Sequence, residues 1–230
     1  MRKEELVQKL EQQLQLVKAE RLAAKRDPSM LAARIALKRY QSARLADTHF
    51  RLLAVPDTCA AAEFFLEELY GAHDMSQRDI DLGRIIPTMQ RMLGYAPLHA
   101  ITEAIVLDAL SERLDTAMAR RLGTDFDEAQ YIEAYRQTAR TDREDQLALV
   151  QGLGQALCEL VRVPLLSATL AIMRGPARMA GLGQLQQFLE RGFSTFKKMR
   201  DARRFVDDIV SSERRVMEKI YAHDPQPFAL

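Results

Sequence analysis

The chain lacks most of the side-chain groupings that assembled chemistry requires. It has two cysteines, Cys59 and Cys158, far apart and each in an apolar helical setting. That is neither a disulfide framework nor a metal knuckle, and buried reduced thiols are the expectation. The four histidines, His49, His73, His99 and His223, form no pair three or four residues apart. Glu-x-x-His, His-Glu-x-x-His and Cys-x-x-Cys are all absent, which removes the di-iron bundle, zincin and zinc-knuckle signatures. Gly-x-Ser-x-Gly is absent as well, and no Ser/His/Asp set can be nominated. No catalytic residue, metal or cofactor is therefore expected. Long apolar runs are missing too. The longest, within 147–173, is interrupted by Glu159, Arg162 and Pro164 and reads as a buried core helix rather than a membrane span. The opening residues MRKEELVQKLEQQ have no apolar stretch of the secretory kind. A cytoplasmic location is the expectation.

What is present suits a helical domain. Hydrophobic residues make up 47% of the 230 and charged residues 28%, ordinary values for one globular unit with a full core. Net charge is only +1, but its layout is uneven. Residues 1–55 carry 12 basic and 6 acidic side chains, residues 57–145 carry 9 and 18, and residues 171–204 carry 8 and 2. The simpler reading is that basic end segments pack beside an acidic middle. The sharper one is a basic surface for an acidic partner.

No period-two alternation marks a strand, and no fixed-length repeat occurs. Val7, Leu10, Leu14 and Val17 follow the 3,4,3 spacing of a short coiled-coil seam that ends at Arg21. Two heptads are too short to stand alone, so this helix either lies on the body or pairs with a second copy. Asp27-Pro28-Ser29 breaks it, with Ser29 as a cap for the next helix. There Leu31, Ile35, Leu45 and Leu52 line one side, and Lys38, Arg39, Arg44 and Arg51 make a basic face. Further helices are predicted over about 58–70, 76–93 and 98–122, then a shorter one starting at Asp125 or Asp127 and taking in Tyr131, Ile132 and Tyr135, one from Thr141 or Asp142 to about 173, and two more over 185–199 and 201–221. Pro87 kinks or breaks one of them and Pro164 bends another, and Gly152 and Gly154 admit a close neighbour. Ser76 and Asp79 have the layout of a capping box. The class is all-α, nine or ten helices in a single domain over 28–222, with an N-terminal amphipathic helix at 1–27 and a flexible tail at 223–230.

Three segments, FFLEELYG at 64–71, SQRDIDLGRIIP at 76–87 and GPARMAGLGQLQQFLERGF at 175–193, together resemble an uncharacterised family of bacterial all-helical proteins. The resemblance covers about 39–221 and implies fold and bacterial origin, with no catalytic residue or ligand to carry over. The helix order is also loosely similar to globins, and VQGLGQALCELV at 150–161 resembles the late globin helix behind the haem. A haem-binding globin needs a proximal histidine on the preceding helix, and residues 100–145 hold none. That resemblance implies a globin-like fold without haem.

Four surfaces are candidates for function. Val7, Leu10, Leu14 and Val17 would form a homodimer contact. Phe64, Phe65 and Tyr70 would line an apolar ligand pocket. Glu63, Glu67, His73, Asp74, Asp79 and Asp81 are the densest acidic cluster, read either as a cation or acid–base site or as a solvated face with first-turn carboxylates paired to Arg78 or Arg84. Arg174, Arg178, Arg191, Lys197, Lys198, Arg200, Arg203 and Arg204 form a basic stripe that could meet phosphates, although no recognition helix accompanies it. The leading reading is a non-enzymatic interaction or regulatory protein acting as a homodimer. The alternatives are a small-ligand-binding or sensory domain, and nucleic-acid binding through the basic stripe.

Overall fold

The computed structural model describes residues 2–68, 71, 74–164 and 166–229. Among them there are helices and connections and no strand, so the all-α single domain stands. The elements are α1 (Lys3–Arg26), α2 (Pro28–Thr48), α3 (Phe50–Ala54), α4 (Pro56–Glu68), α5 (Ser76–Met92), α6 (Tyr95–Leu122), α7 (Glu128–Arg136), α8 (Arg140–Leu160), α9 (Leu166–Met179), α10 (Gly183–Lys198) and α11 (Ala202–Tyr221).

Local chemistry explains most boundaries. Asp27, held extended before Pro28, caps α2 by accepting from the amides of Ser29 and Met30. The cap is thus Asp27, not Ser29, because proline at the first helical position pre-sets the turn behind it. Asp127 and Gln130 form a reciprocal capping box on α7. Gly123, at a φ of 65°, ends α6 in a backbone region that favours glycine. Pro164 separates α8 from α9 instead of bending one long helix, since α8 has already stopped at Leu160. Pro176, by contrast, is carried inside α9, and Pro87 inside α5.

Three apolar clusters hold the body together. In the first, Leu6, Val7, Leu10, Leu14 and Val17 of α1 meet Leu82, Ile86 and Met89 of α5 and Leu98, Ile105 and Ala109 of α6. Each fully buried leucine there contributes about 1.5–3 kcal/mol. The second joins α4, α8, α10 and α11 around Phe196 and Phe205. Gly154 lets α8 approach α11 so closely that an added Cβ would lie 2.6 Å from Val206. The third sets Ala33 and Leu37 of α2 against Met118 and Ala119 of α6 and Tyr131 and Ala134 of α7.

Two expectations change here. The residues after α11, read as a flexible tail, lie against the body: Phe228 packs on Tyr131 and beneath the Arg44 guanidinium, and Lys219 donates to the carbonyl of Ala229 at 2.7 Å. The inward side of α2 is also different. Leu31 is exposed, and the buried line is Ala33, Arg34, Leu37, Gln41 and Leu45. Lys38 and Arg44, read as part of a basic face, turn inward to carboxylates.

Candidate functional site

The four residues nominated as a dimer contact are closed off within the chain. Val7, Leu10, Leu14 and Val17 are all buried in the α1–α5–α6 cluster, so in this fold the seam fixes α1 to the body and offers nothing to a second copy. The nominated pocket is filled as well. Phe64 packs on Phe65 and Phe188, its ring where a Cβ on Gly192 would be. Phe65 in turn meets Phe196 and Phe205. Both rings are core, and Tyr70 lies outside the described residues.

The acidic cluster disperses into separate pairs. Glu67 and Glu68 both accept from Arg191, and Asp74 accepts from Lys25 at 2.7 Å. Lys25 brings the Asp74 carboxyl down to about 2. Glu63 is exposed one turn from Cys59, whose thiol is pushed up by burial and then by that carboxylate. His73 lies outside the described residues. Asp79 and Asp81 are not first-turn surface carboxylates: both are buried. The Ser76–Asp79 box does not form, since Met75 precedes the helix and Asp74 takes the Ser76 amide instead. Among the described residues, no three His, Cys, Asp or Glu side chains are grouped as metal ligands.

The basic stripe is largely neutralised. Arg174 pairs with Glu190, Arg191 with Glu67 and Glu68, Arg203 with Glu159 at 3.7 Å and Arg204 with Asp208 at 3.7 Å. Arg200 lies 4.0 Å from Asp57, and Lys197 donates to the Ser167 hydroxyl. Arg178 and Lys198 are exposed. A row of phosphates would find few of these charges unengaged.

Two features were not nominated from sequence. The first is a buried ionic cluster where α1, α2, α5 and α6 meet. Arg21 reaches Asp79, Asp108 at 2.8 Å and Glu112 at 3.3 Å. Glu112, 2% exposed, also accepts from Arg34 and from Lys38 at 2.9 Å. Arg78 bridges Asp108 and Asp79, and Gln41 donates to Asp115. Burial opposes the charge on Arg21, but Asp108 and Asp79 outweigh it and push its pKa up. Burial holds the Lys38 ammonium below the usual lysine range. With the charges so nearly balanced, the cluster acts chemically as a lock between helices. A smaller lock joins Arg44, His49 and Glu213, where burial is outweighed by Arg44 and His49 and the Glu213 carboxyl is brought down to about 2.

The second feature is a groove of about 740 Å³ between α1, α6 and α8. Its walls are apolar: Leu16 and Ala19 from α1, Val106 and Leu110 from α6, Leu149 and Leu153 from α8. Leu16 is 51% exposed there, unlike the α1 residues on either side of it that face α5 and α6. Gly152 also lines the groove, and a Cβ on it would meet nothing. Of the two α8 glycines read as admitting a neighbour, Gly154 has Val206 and Gly152 has open space. Glu20, Glu103, Asp142 and Asp145 stand along the rim with Arg113 and His99. Glu103 is paired with Lys9 and Asp142 with Arg113, while Glu20 accepts from the Thr116 hydroxyl. The rim is therefore acidic in sum. No helix among the described residues is long and apolar enough to cross a membrane.

Residues 20–227 match the family model described as Domain of unknown function (DUF8198), and the chain belongs to that family. The match begins one residue before Arg21, so the whole buried ionic cluster lies inside it. No curated protein matches the chain, and no solved structure does.

Proposed function

We propose that this DUF8198 protein is an interaction domain that holds an amphipathic helix in the groove between α1, α6 and α8. The observation that carries the reading is an apolar trough, open to solvent, with carboxylates on its edges. On α6 it runs from His99 to Arg113 and on α8 from Asp142 to Ala156. Each wall is about 21 Å long at 1.5 Å per residue. That is the shape of a helix-receiving groove, in which apolar anchors at one helical face enter the trough. A small-molecule site would enclose its ligand more fully and aim converging polar groups into it. Here the polar groups stand along the edges, and Glu103, Asp142 and Glu20 already have partners in the chain, Lys9, Arg113 and Thr116. The acidic rim selects a helix with basic flanks. The two free cysteines suit action in a reducing cytoplasm.

Fluorescence anisotropy with a labelled leucine–lysine amphipathic helical peptide tests this, with a leucine–glutamate peptide as control. The lysine peptide is expected to bind and the glutamate peptide to bind much more weakly. Gly152→Arg should abolish binding without harming the fold, because it fills the trough and replaces a helix-interior glycine that costs about 1 kcal/mol relative to alanine. Equal binding of both peptides, or binding indifferent to Gly152→Arg, would sink the proposal.

A further inference from the structure

The structure assigns an occupant to that groove: helix α9 of a second copy of this chain. The inference rests on the groove reading above and deepens it. α9 is apolar on two sides. One side, with Leu170 half-buried and Ala177 buried, turns toward the body, where Gln186 of α10 donates to the Leu170 carbonyl and α9 rests mainly on α10. The opposite stripe is Ala168, Ile172, Gly175 and Met179, at 4,3,4 spacing, and every member is exposed. Ile172 is 74% exposed and Met179 is 85%. A helix that is apolar all round is normally buried all round, so α9 has one cover where its sequence asks for two.

The two surfaces fit in charge, length and polarity. α9 contains Arg174 and Arg178 and no acidic residue, whereas the groove rim is acidic. α9 has 14 residues, or about 21 Å, which equals the length of each groove wall. The pairs Lys9–Glu103 and Thr116–Glu20 set α1 parallel to α6, and Arg113–Asp142 with Gln146–Ser111 sets α8 antiparallel to it. Glu20, Asp142 and Asp145 thus share one end of the trough. Arg174 is taken by Glu190 of its own chain, and exposed Arg178 lies at the C-terminal end of α9, so α9 enters parallel to α6, with Arg178 at that acidic end. Two copies that each donate α9 to the other close on themselves and expose no further groove.

Sedimentation equilibrium of the full chain tests the inference. The expected mass is twice the 26.2 kDa of one chain. Ile172→Asp on α9 and Gly152→Arg in the groove should each give a folded monomer by circular dichroism. An equimolar mixture of the two variants should recover dimer, because one chain keeps an intact groove and the other an intact α9. A wild-type chain that stays monomeric while the leucine–lysine peptide still binds would overturn the second-copy occupant and leave the groove reading standing. Loss of peptide binding as well would remove both. A monomer that binds phosphatidylglycerol vesicles, and loses them with Ile172→Asp, would place α9 on a membrane surface and also overturn the inference.

Discussion

α1 and α9 carry comparable apolar seams and meet opposite fates. On α1, Val7, Leu10, Leu14 and Val17 repeat at 3,4,3 spacing and are buried in their own chain. On α9, Ala168, Ile172, Gly175 and Met179 repeat at 4,3,4 spacing and face solvent. Spacing alone does not separate an internal joint from an external one. What separates them is the number of apolar faces set against the number of covers the topology supplies. The α1 seam is covered by α5 and α6, while Leu16 on another side is left to the groove. α9 has two apolar faces, and α10 covers one. The continuation of each seam differs too. The next position on α1 after Val17 is Arg21, which enters the buried carboxylates of α5 and α6. On α9 the next position after Met179 would be Leu182, which lies beyond the end of the helix, so that seam simply stops.

The largest effect is expected at the ionic end of the α1 joint. Glu112 receives three cations in a site with almost no solvent. Glu112→Ala leaves Arg21, Arg34 and Lys38 short of a partner and should cost about 3–5 kcal/mol, because uncompensated buried charge is far more expensive than the pair itself is favourable. Urea denaturation followed by circular dichroism measures it. A loss below about 1 kcal/mol, the range of surface pairs, would mean that water reaches the cluster and that α1 is held by its leucines alone. The apolar end comes next. Leu10→Ala removes a fully buried side chain between α5 and α6 and should cost about 2–5 kcal/mol by the same measurement. A near-neutral result would mean that α1 lies loosely on the body and that its seam is free to pair elsewhere.

The same contrast shows what sequence could reveal. Helix class and most helix positions were legible, because apolar periodicity and caps are local signals, although for α7 the sequence offered Asp125 and Asp127 alike and only Asp127 caps it. The buried side of α1 was legible as well, but its partner was not, since α5 and α6 lie dozens of residues away. The apolar pattern of α1 ends at Arg21, yet Arg21 holds the next seam position, and a charge there is itself a sign of a buried counter-charge. α6 carries the matching sign. Leu98, Thr102, Ile105, Ala109, Glu112, Thr116 and Ala119 follow one 4,3 repeat and all are buried, so its polar members occupy core positions. Asp79 illustrates the opposite failure. Its spacing from Ser76 suggested a cap, but Arg21 across the interface claims the carboxylate. Phe64 and Phe65 looked like a pocket because aromatic rings signal burial without saying whether protein or ligand supplies it. The groove had no local signal: its three walls are far apart in sequence, and each wall residue by itself reads as ordinary helix surface.

The smallest effect is expected on the outer stripe of α9. Ile172→Ser removes as much apolar side chain as many core substitutions do. At a concentration low enough for the chain to be monomeric, it should nevertheless change stability by less than about 0.5 kcal/mol, as surface substitutions do. The reason is that water already covers Ile172 in the folded chain, so little transfer free energy is lost and no cavity opens. Urea midpoints of the two proteins at matched dilution decide it. A loss of about 1.5 kcal/mol or more would mean that the outer stripe of α9 is buried within its own chain, and α9 would then be a joint of the α1 kind. A neutral midpoint at high dilution, together with a loss that grows as protein concentration rises, would be the mark of a face whose cover comes from another molecule, because binding stabilises the folded state only as far as the partner is present.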